Sequence, residues 1–189
     1  MPSVLDVLQK TESHFARIGF EQPKVEAEWI IAAGLKCKRL QIYLQHDREL
    51  TEEELGVLRD CVKRRSQREP LRYIEGSTEF YGLSLKVRSG ALIPRPETEV
   101  FVEEILKRMP EGGALRVVDL GTGTGAIALA IAANRPEARV LGIDISADAL
   151  TLARENIQAQ GLASRVKLKQ NAWLEALDRR ADWIVANPP

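Results

Sequence analysis

Apolar positions in the first seventy residues recur at helical spacing. Val4, Leu8, Phe15 and Ile18 follow Ser3, a residue type that caps helix N-termini, and Gly19 offers a stop, predicting a helix over 3–18. Pro23 suits a first helical turn. Val25, Trp29, Ile30 and Ala33 form the apolar stripe of a second helix that Gly34 is expected to end. A short third helix is expected over Leu40 to Gln45. A fourth begins at Thr51 with the capping-box partner Glu54, carries Leu55, Leu58 and Val62 on one face, and stops before Pro70. Its basic end, Lys63-Arg64-Arg65-Ser66-Gln67-Arg68, reads as a solvated face favoured by the helix dipole. The pattern then shortens to β-like runs, Thr78–Tyr81 and Ser84–Val87, separated by Gly82-Leu83, which predict a hairpin. Leu92-Ile93-Pro94-Arg95-Pro96-Glu97-Thr98-Glu99 is stiff and extended, then opens an acidic helix start that runs on to about Pro110.

From residue 115 the pattern alternates strand and helix. Strands are expected at 115–120, 139–144, 165–169 and 182–186, with helices at 126–133 and from Ser146 or Asp148 to Gln160. This is the pattern of a parallel sheet in an α/β fold. The expected organisation is a helical domain over 1–70, a β-hairpin linker over 71–90, and a cofactor-binding α/β domain over 91–189.

Composition narrows the class. Hydrophobic residues make up 44% of the 189, enough for a buried core. The 27 basic and 27 acidic residues balance, and they balance within each half, 15 against 14 through residue 90 and 12 against 13 after it. Neither half is built to grip a phosphate backbone by charge. Cys37 and Cys61 have no ligand-spaced neighbours, so a zinc site or disulfide framework is a poor reading and a reducing cytoplasm fits best. No run has the length of a signal or a membrane span.

The candidate chemistry lies at the ends of the strands. Gly121-Thr122-Gly123-Thr124-Gly125 after the first strand lets the backbone approach a ligand closely, and Asp144, closing the second, can bind vicinal ribose hydroxyls. Gly121, Gly123 and Ala126 also satisfy a dinucleotide-binding pattern, so the glycines alone leave a nicotinamide enzyme open. Asn187-Pro188-Pro189 follows the fourth strand. Two prolines free the carbonyls of Asn187 and Pro188 from any ladder, and together with the Asn187 amide oxygen these can accept both hydrogens of an –NH2 group. That duty has no place in hydride transfer. It does in methylating a nitrogen.

Val118–Ala128 resembles the first motif of class I S-adenosylmethionine methyltransferases. With Ile93–Glu99 and Asn187-Pro188-Pro189, the chain resembles the HemK/PrmC family along its whole length. The resemblance implies a Rossmann-like class I methyltransferase domain. It also implies methyl transfer from S-adenosylmethionine to the side-chain amide nitrogen of the glutamine in the Gly-Gly-Gln motif of peptide-chain release factors. It puts Gly121 to Gly125 around the cofactor's methionine and ribose, Asp119 at the base of that loop, Asp144 on the ribose and Trp173 beside the adenine. Asn187, Pro188 and Pro189 would hold the glutamine amide, with Asn187 touching the cofactor as well. No metal is implied. The helical domain would dock the release factor, without direct nucleic-acid or membrane binding, and the complete protein would be a monomer.

Two departures stand out. Ala172 occupies a position usually acidic in the family, and no tyrosine follows Pro189. The implied sheet has seven strands, of which four are in the sequence, so the chain is expected to be an incomplete methyltransferase with an apolar sheet edge and little activity. The competing expectations are a nucleic-acid adenine N6-methyltransferase, which uses a similar Asn-Pro-Pro motif but would flip its base toward a basic surface, and an inactive fragment that only binds cofactor.

Overall fold

The computed structural model describes residues 1–172 and 180–187. The chain divides into two compact units, Met1–Glu75 and Gly76–Pro189. No helix among the described residues is long and apolar enough to cross a membrane.

In the first unit, helices α1 (Val4–Arg17), α2 (Pro23–Gly34), α3 (Arg39–Leu44), α4 (Glu52–Ser66) and α5 (Leu71–Glu75) enclose one core. Helix α1 starts where its local chemistry dictates. The Ser3 hydroxyl accepts from the Asp6 N–H, and the Asp6 carboxylate accepts from the Ser3 N–H, so two otherwise orphaned donors are satisfied. Thr51 and Glu54 repeat the device at α4.

Two expectations for this unit change. The buried residues of α2 are Ala27, Glu28, Ile30, Ile31 and Ala32, of which only Ile30 belongs to the expected stripe, because the helix is packed by α1, α3, α4 and α5 on several sides. Gly34 does end α2, as its last residue. It is a helical residue whose added Cβ would stand 2.6 Å from Leu58 Cδ2, so it is glycine to let α2 and α4 approach. The basic end of α4 is not a freely solvated face. Arg64 forks onto Glu69 at 2.6 and 2.9 Å, Arg65 forks onto Glu26 at 2.8 and 2.9 Å, and Arg68 lies 3.9 Å over the Phe20 ring.

In the second unit, strands β1 (Ser77–Phe80) and β2 (Leu83–Lys86) pair antiparallel around Tyr81 and Gly82. Both turn residues have positive φ, 48° and 76°, the geometry that matches strand twist in a two-residue hairpin. This requirement draws Tyr81 out of the strand where the alternation had put it. Phe80 and Leu85 of the hairpin are buried in the core of this unit. Helix α6 (Pro96–Arg108) follows, then β3 (Arg116–Leu120), α7 (Ala126–Asn134), β4 (Arg139–Asp144), α8 (Ala147–Ala159), β5 (Val166–Gln170) and β6 (Trp183–Ala186).

Among the described residues, these strands form a parallel sheet in the order β5-β4-β3-β6. Val117 to Leu120 are all buried, as a central parallel strand covered on both faces requires, and every residue from Ala126 to Ala132 is buried as well. The chain steps outward from β3 through β4 to β5 and then returns to the far side of β3 with β6. The strand order therefore reverses between β3 and β6, and the crevice at their carboxyl ends is where such sheets bind ligands.

Asn156, fully buried on α8, ties the pieces together. Its Oδ1 accepts from Lys86 N–H at 2.8 Å, while Nδ2 donates to the carbonyls of Lys86 and Thr124 at 3.1 and 2.9 Å. One side chain thus completes the end of the hairpin and the glycine turn together. Asn156→Ala leaves three backbone groups without their partner. The bond to the Thr124 carbonyl is buried and the two to Lys86 are part-buried, and at about 1–3 kcal/mol for a buried group left unsatisfied the variant is expected to cost about 1–3 kcal/mol or more. Urea denaturation of the variant against the parent measures this, and a loss under about 0.5 kcal/mol would refute the role.

Candidate functional site

The site is built where β3 and β4 end. Beyond Leu120, which pairs with Ile143, the Gly121 and Thr122 N–H groups both donate to the Ile143 carbonyl at 2.9 Å, and Gly123 N–H donates to Asp144 Oδ2 at 2.8 Å. The backbone reaches these partners through left-handed glycines at φ 69°, 55° and 82° for Gly121, Gly123 and Gly125. Asp144 Oδ1 accepts from Ser146 N–H at 2.9 Å, and Ser146 in turn caps α8 through the Ala149 N–H. Each Asp144 oxygen thus receives one backbone donor and keeps further accepting capacity.

The threonines of the turn face inward. Thr122 and Thr124 are buried, and the Thr122 hydroxyl donates to Asp119 Oδ2 at 2.6 Å, which also accepts from Ala128 N–H at 3.2 Å. Room for Thr122 comes from Gly142 on β4, where a Cβ would stand 2.9 Å from Thr122 Oγ1 and 2.9 Å from Leu168 Cδ2. Asp119 is completely buried and its Oδ1 has no hydrogen-bond partner among the described residues. Burial pushes its carboxyl up to about 7 from an ordinary 3.8, against the Thr122 and Ala128 hydrogen bonds that favour the charge, and nearby Asp144 pushes it further the same way.

Two clefts open over this floor. One of about 370 Å³ is lined by Gly121, Gly123, Asp144, Ile145, Asn171 and Asn187 among others. The second, about 430 Å³, is lined by Pro94, Thr98, Phe101, Gly121, Ile127 and Asn187 among others. Gly121, Gly123, Leu92 and Asn187 border both. Asn187 lies just past β6, and its Nδ2 donates to the Thr98 hydroxyl oxygen at 3.1 Å. Thr98 stands in the first turn of α6, and its neighbour Glu99 accepts from the Tyr81 N–H at 2.9 Å.

Of the residues singled out in the sequence, Gly121, Gly123, Asp144 and Asn187 converge on the clefts, Thr122 and Thr124 also line the second, Asp119 lies beneath Thr122, and Gly125 is the N-cap of α7. Trp173, Pro188 and Pro189 lie outside the described residues. At the position where the family is usually acidic, Ala172 N–H donates to the Asn171 side-chain oxygen, and both residues line the first cleft. The residues that sequence reasoning passed over are Ile145, Asn156, Gly142 and the role of Thr98. Only Ile145 carried a local signal, an apolar side chain directly after the strand-closing acid, and it is 72% exposed at the cleft.

A family model described as the PrmC N-terminal domain matches residues 6–76, and one described as the methyltransferase small domain matches residues 96–189. The release factor glutamine methyltransferase of Geobacter sulfurreducens is 43% identical over 188 residues, covering 99% of this chain and 65% of that protein. The one from Chlorobaculum tepidum is 37% identical over 197 residues, covering 99% and 67%. The chain belongs to the release factor glutamine methyltransferase family. It spans about two thirds of the length of these relatives. Among solved structures, an RNA methyltransferase from Salinibacter ruber in complex with S-adenosyl-L-homocysteine matches 50% of this chain and 60% of that one at 29% identity and a TM-score of 0.44.

The cofactor of this family is S-adenosylmethionine. The first cleft fits it. Gly121 has open space where a Cβ would project, so backbone can lie directly against a ligand there, and Asp144 presents carboxylate lone pairs beside it. Ile145 offers an exposed apolar surface for a flat base.

Asp119 makes stability depend on pH. Its folded-state value lies above its ordinary one, so the folded protein holds more protons between pH 3.8 and about 7 and loses stability as pH rises through that window, by up to about 1.4 kcal/mol per pH unit. Asp119→Asn removes the group that titrates. The melting temperature of the parent is expected to fall relative to that of Asp119→Asn between pH 4 and pH 8, and parallel curves would show that the carboxyl stays ionised throughout.

Proposed function

We propose that this protein transfers a methyl group from S-adenosylmethionine to the side-chain amide nitrogen of the glutamine in the Gly-Gly-Gln motif of peptide-chain release factors. The observation that carries the reading is the position of Asn187, which borders both the cleft that fits the cofactor and the adjoining cleft. An acceptor amide in the second cleft would thus lie beside the methyl donor, and the names of the relatives supply its chemistry. The adenine N6 alternative draws no support from those relatives.

Bound cofactor supplies a methyl group made electrophilic by its positive sulfur. The protein's part is to position and polarise. Gly121 and Gly123 would bring backbone against the donor, and Asp144 would accept from the ribose hydroxyls. The Asn187 side-chain oxygen would accept from the glutamine amide, with Pro188 and Pro189 assigned to hold the same group, and so localise its nitrogen lone pair toward the donor. The methylated amide would give up its extra N–H proton to water, so no strong base would be required. The Met1–Glu75 unit docks the protein substrate, and the reaction takes place in the cytoplasm.

Mass spectrometry of a release factor incubated with the protein and cofactor tests the reading, a single methyl on the Gly-Gly-Gln glutamine being the expected product. Asn187→Ala is expected to slow transfer by about 10²-fold, the scale of losing a preorganised transition-state contact, with cofactor affinity unchanged by calorimetry. Asp144→Ala is expected to do the converse and weaken cofactor binding by about 1–3 kcal/mol. Methylation of duplex adenine in place of glutamine would overturn the assignment.

A further inference from the structure

Helices α1 and α4 both pack against α2 and scarcely against each other, and the space between them stays open as a groove of about 690 Å³. Its walls repeat at helical spacing, Val7, Lys10 and His14 from α1 and Leu55, Arg59 and Val62 from α4. Leu58 is buried beneath, while Val7 and Val62 are only half-buried, so the floor is apolar and partly open to water. One end is closed by His14, whose Nε2 lies 2.9 Å from the Ser66 hydroxyl of α4.

The rims carry one sign of charge. Lys10 on one side and Arg59 and Lys63 on the other are exposed, and no acidic residue lines the groove. This is segregation, because the Met1–Glu75 unit as a whole holds 13 basic and 13 acidic residues. Elsewhere in the unit carboxylates take up the arginines, Glu69 holding Arg64 at 2.6 Å and Glu26 holding Arg65 at 2.8 Å. Lys10 and Lys63 form no ion pair among the described residues, and Arg59 reaches Glu52 only at 3.7 Å with both side chains largely exposed. A nucleic acid would use these cations and leave the apolar floor wet. A protein segment with apolar side chains flanked by Asp or Glu satisfies both.

We infer that the groove between α1 and α4 is where this unit holds the protein substrate, through a segment whose apolar side chains cover Val7 and Val62 and whose carboxylates face Lys10, Arg59 and Lys63. This rests on the release-factor reading proposed above. Rim charges of this kind act mainly on the association rate and its salt dependence, while the apolar floor holds the segment once it is in place.

The test measures the association rate of a purified release factor with the 189-residue chain by surface plasmon resonance at low and high salt. Lys10→Glu/Lys63→Glu reverses two exposed rim charges, with the melting temperature as the check on folding, and Lys10→Gln/Lys63→Gln replaces it should the reversal unfold the unit. The expected result is association slowed about tenfold or more in low salt, a gap that narrows as salt rises, and a rate within about twofold of the parent in Lys10→Arg/Lys63→Arg. Lys24→Glu/Lys36→Glu makes the same change of net charge away from the groove and is expected to bind like the parent. Parent-like association by Lys10→Glu/Lys63→Glu, or equal slowing by Lys24→Glu/Lys36→Glu, overturns the inference and leaves the release-factor reading standing. So does a groove reversal that abolishes self-association of the chain, or its binding to an RNA or DNA duplex, without slowing the release factor. A parent chain that binds no release factor overturns the substrate reading itself, and the inference with it.

Discussion

The crevice depends on one arrangement of backbone, in which the turn after β3 is bonded to the end of β4 as well as to itself through Gly125 N–H and the Thr122 carbonyl. The Ile143 carbonyl receives two N–H groups and the Asp144 carboxylate a third, so Gly121, Thr122 and Gly123 continue the sheet past the point where β3 has stopped being a strand. The register that pairs Leu120 with Ile143 decides where these acceptors fall. A slip of one residue would point Asp144 to the other face of the sheet and leave the turn without its third bond. The glycines are needed because the path is left-handed, but they do not choose it. The neighbouring strand does.

Beneath the turn, the same geometry creates a buried acid. Thr122 can fold inward only because Gly142 leaves room for it, and once inside, its hydroxyl needs an acceptor, which Asp119 provides. The carboxylate also holds the Ala128 N–H of the first turn of α7, so strand, turn and helix meet at one oxygen. The group is completely buried, which is why it resists ionisation, and among the described residues its other oxygen has no partner. The protein keeps a destabilising group directly under the ligand crevice, where it sets the position of the loop above.

Features held by neighbours in sequence were legible in the sequence. Ser3 with Asp6, Thr51 with Glu54 and Ser146 with Ala149 close within three residues, and strand limits followed from runs of Val, Ile and Leu. The glycines were readable because left-handed backbone calls for them position by position, and Asp144 because it is the acid that closes a strand. Asn156 reads as an ordinary polar helix position until Lys86, seventy residues away, is brought against it. The arginines ending α4 read as a solvated face because Glu26, which Arg65 grips, lies 39 residues earlier. Gly34 reads correctly as the end of α2, but the close approach of Leu58 that also calls for a glycine there is not in the sequence. In each case the residue's role is set by a partner that only the tertiary fold supplies, and pattern reading is blind to it.

The two clefts differ in how they are held. The floor of the first is fixed by the strand ladder and by bonds that close over a few residues or between adjacent strands, so its shape comes with the sheet itself. The wall of the second is α6, whose first turn reaches in two directions at once, through Thr98 to Asn187 and through Glu99 to the hairpin turn, across 89 and 18 residues of sequence. Adjacent residues on a helix diverge by about 100°, so one turn can fasten two loops that never meet. The stiff Pro-Arg-Pro segment makes this effective, since a flexible lead would let the turn follow either loop. The first cleft is thereby set by secondary structure and the second by single side-chain bonds that join parts of the chain far apart in sequence.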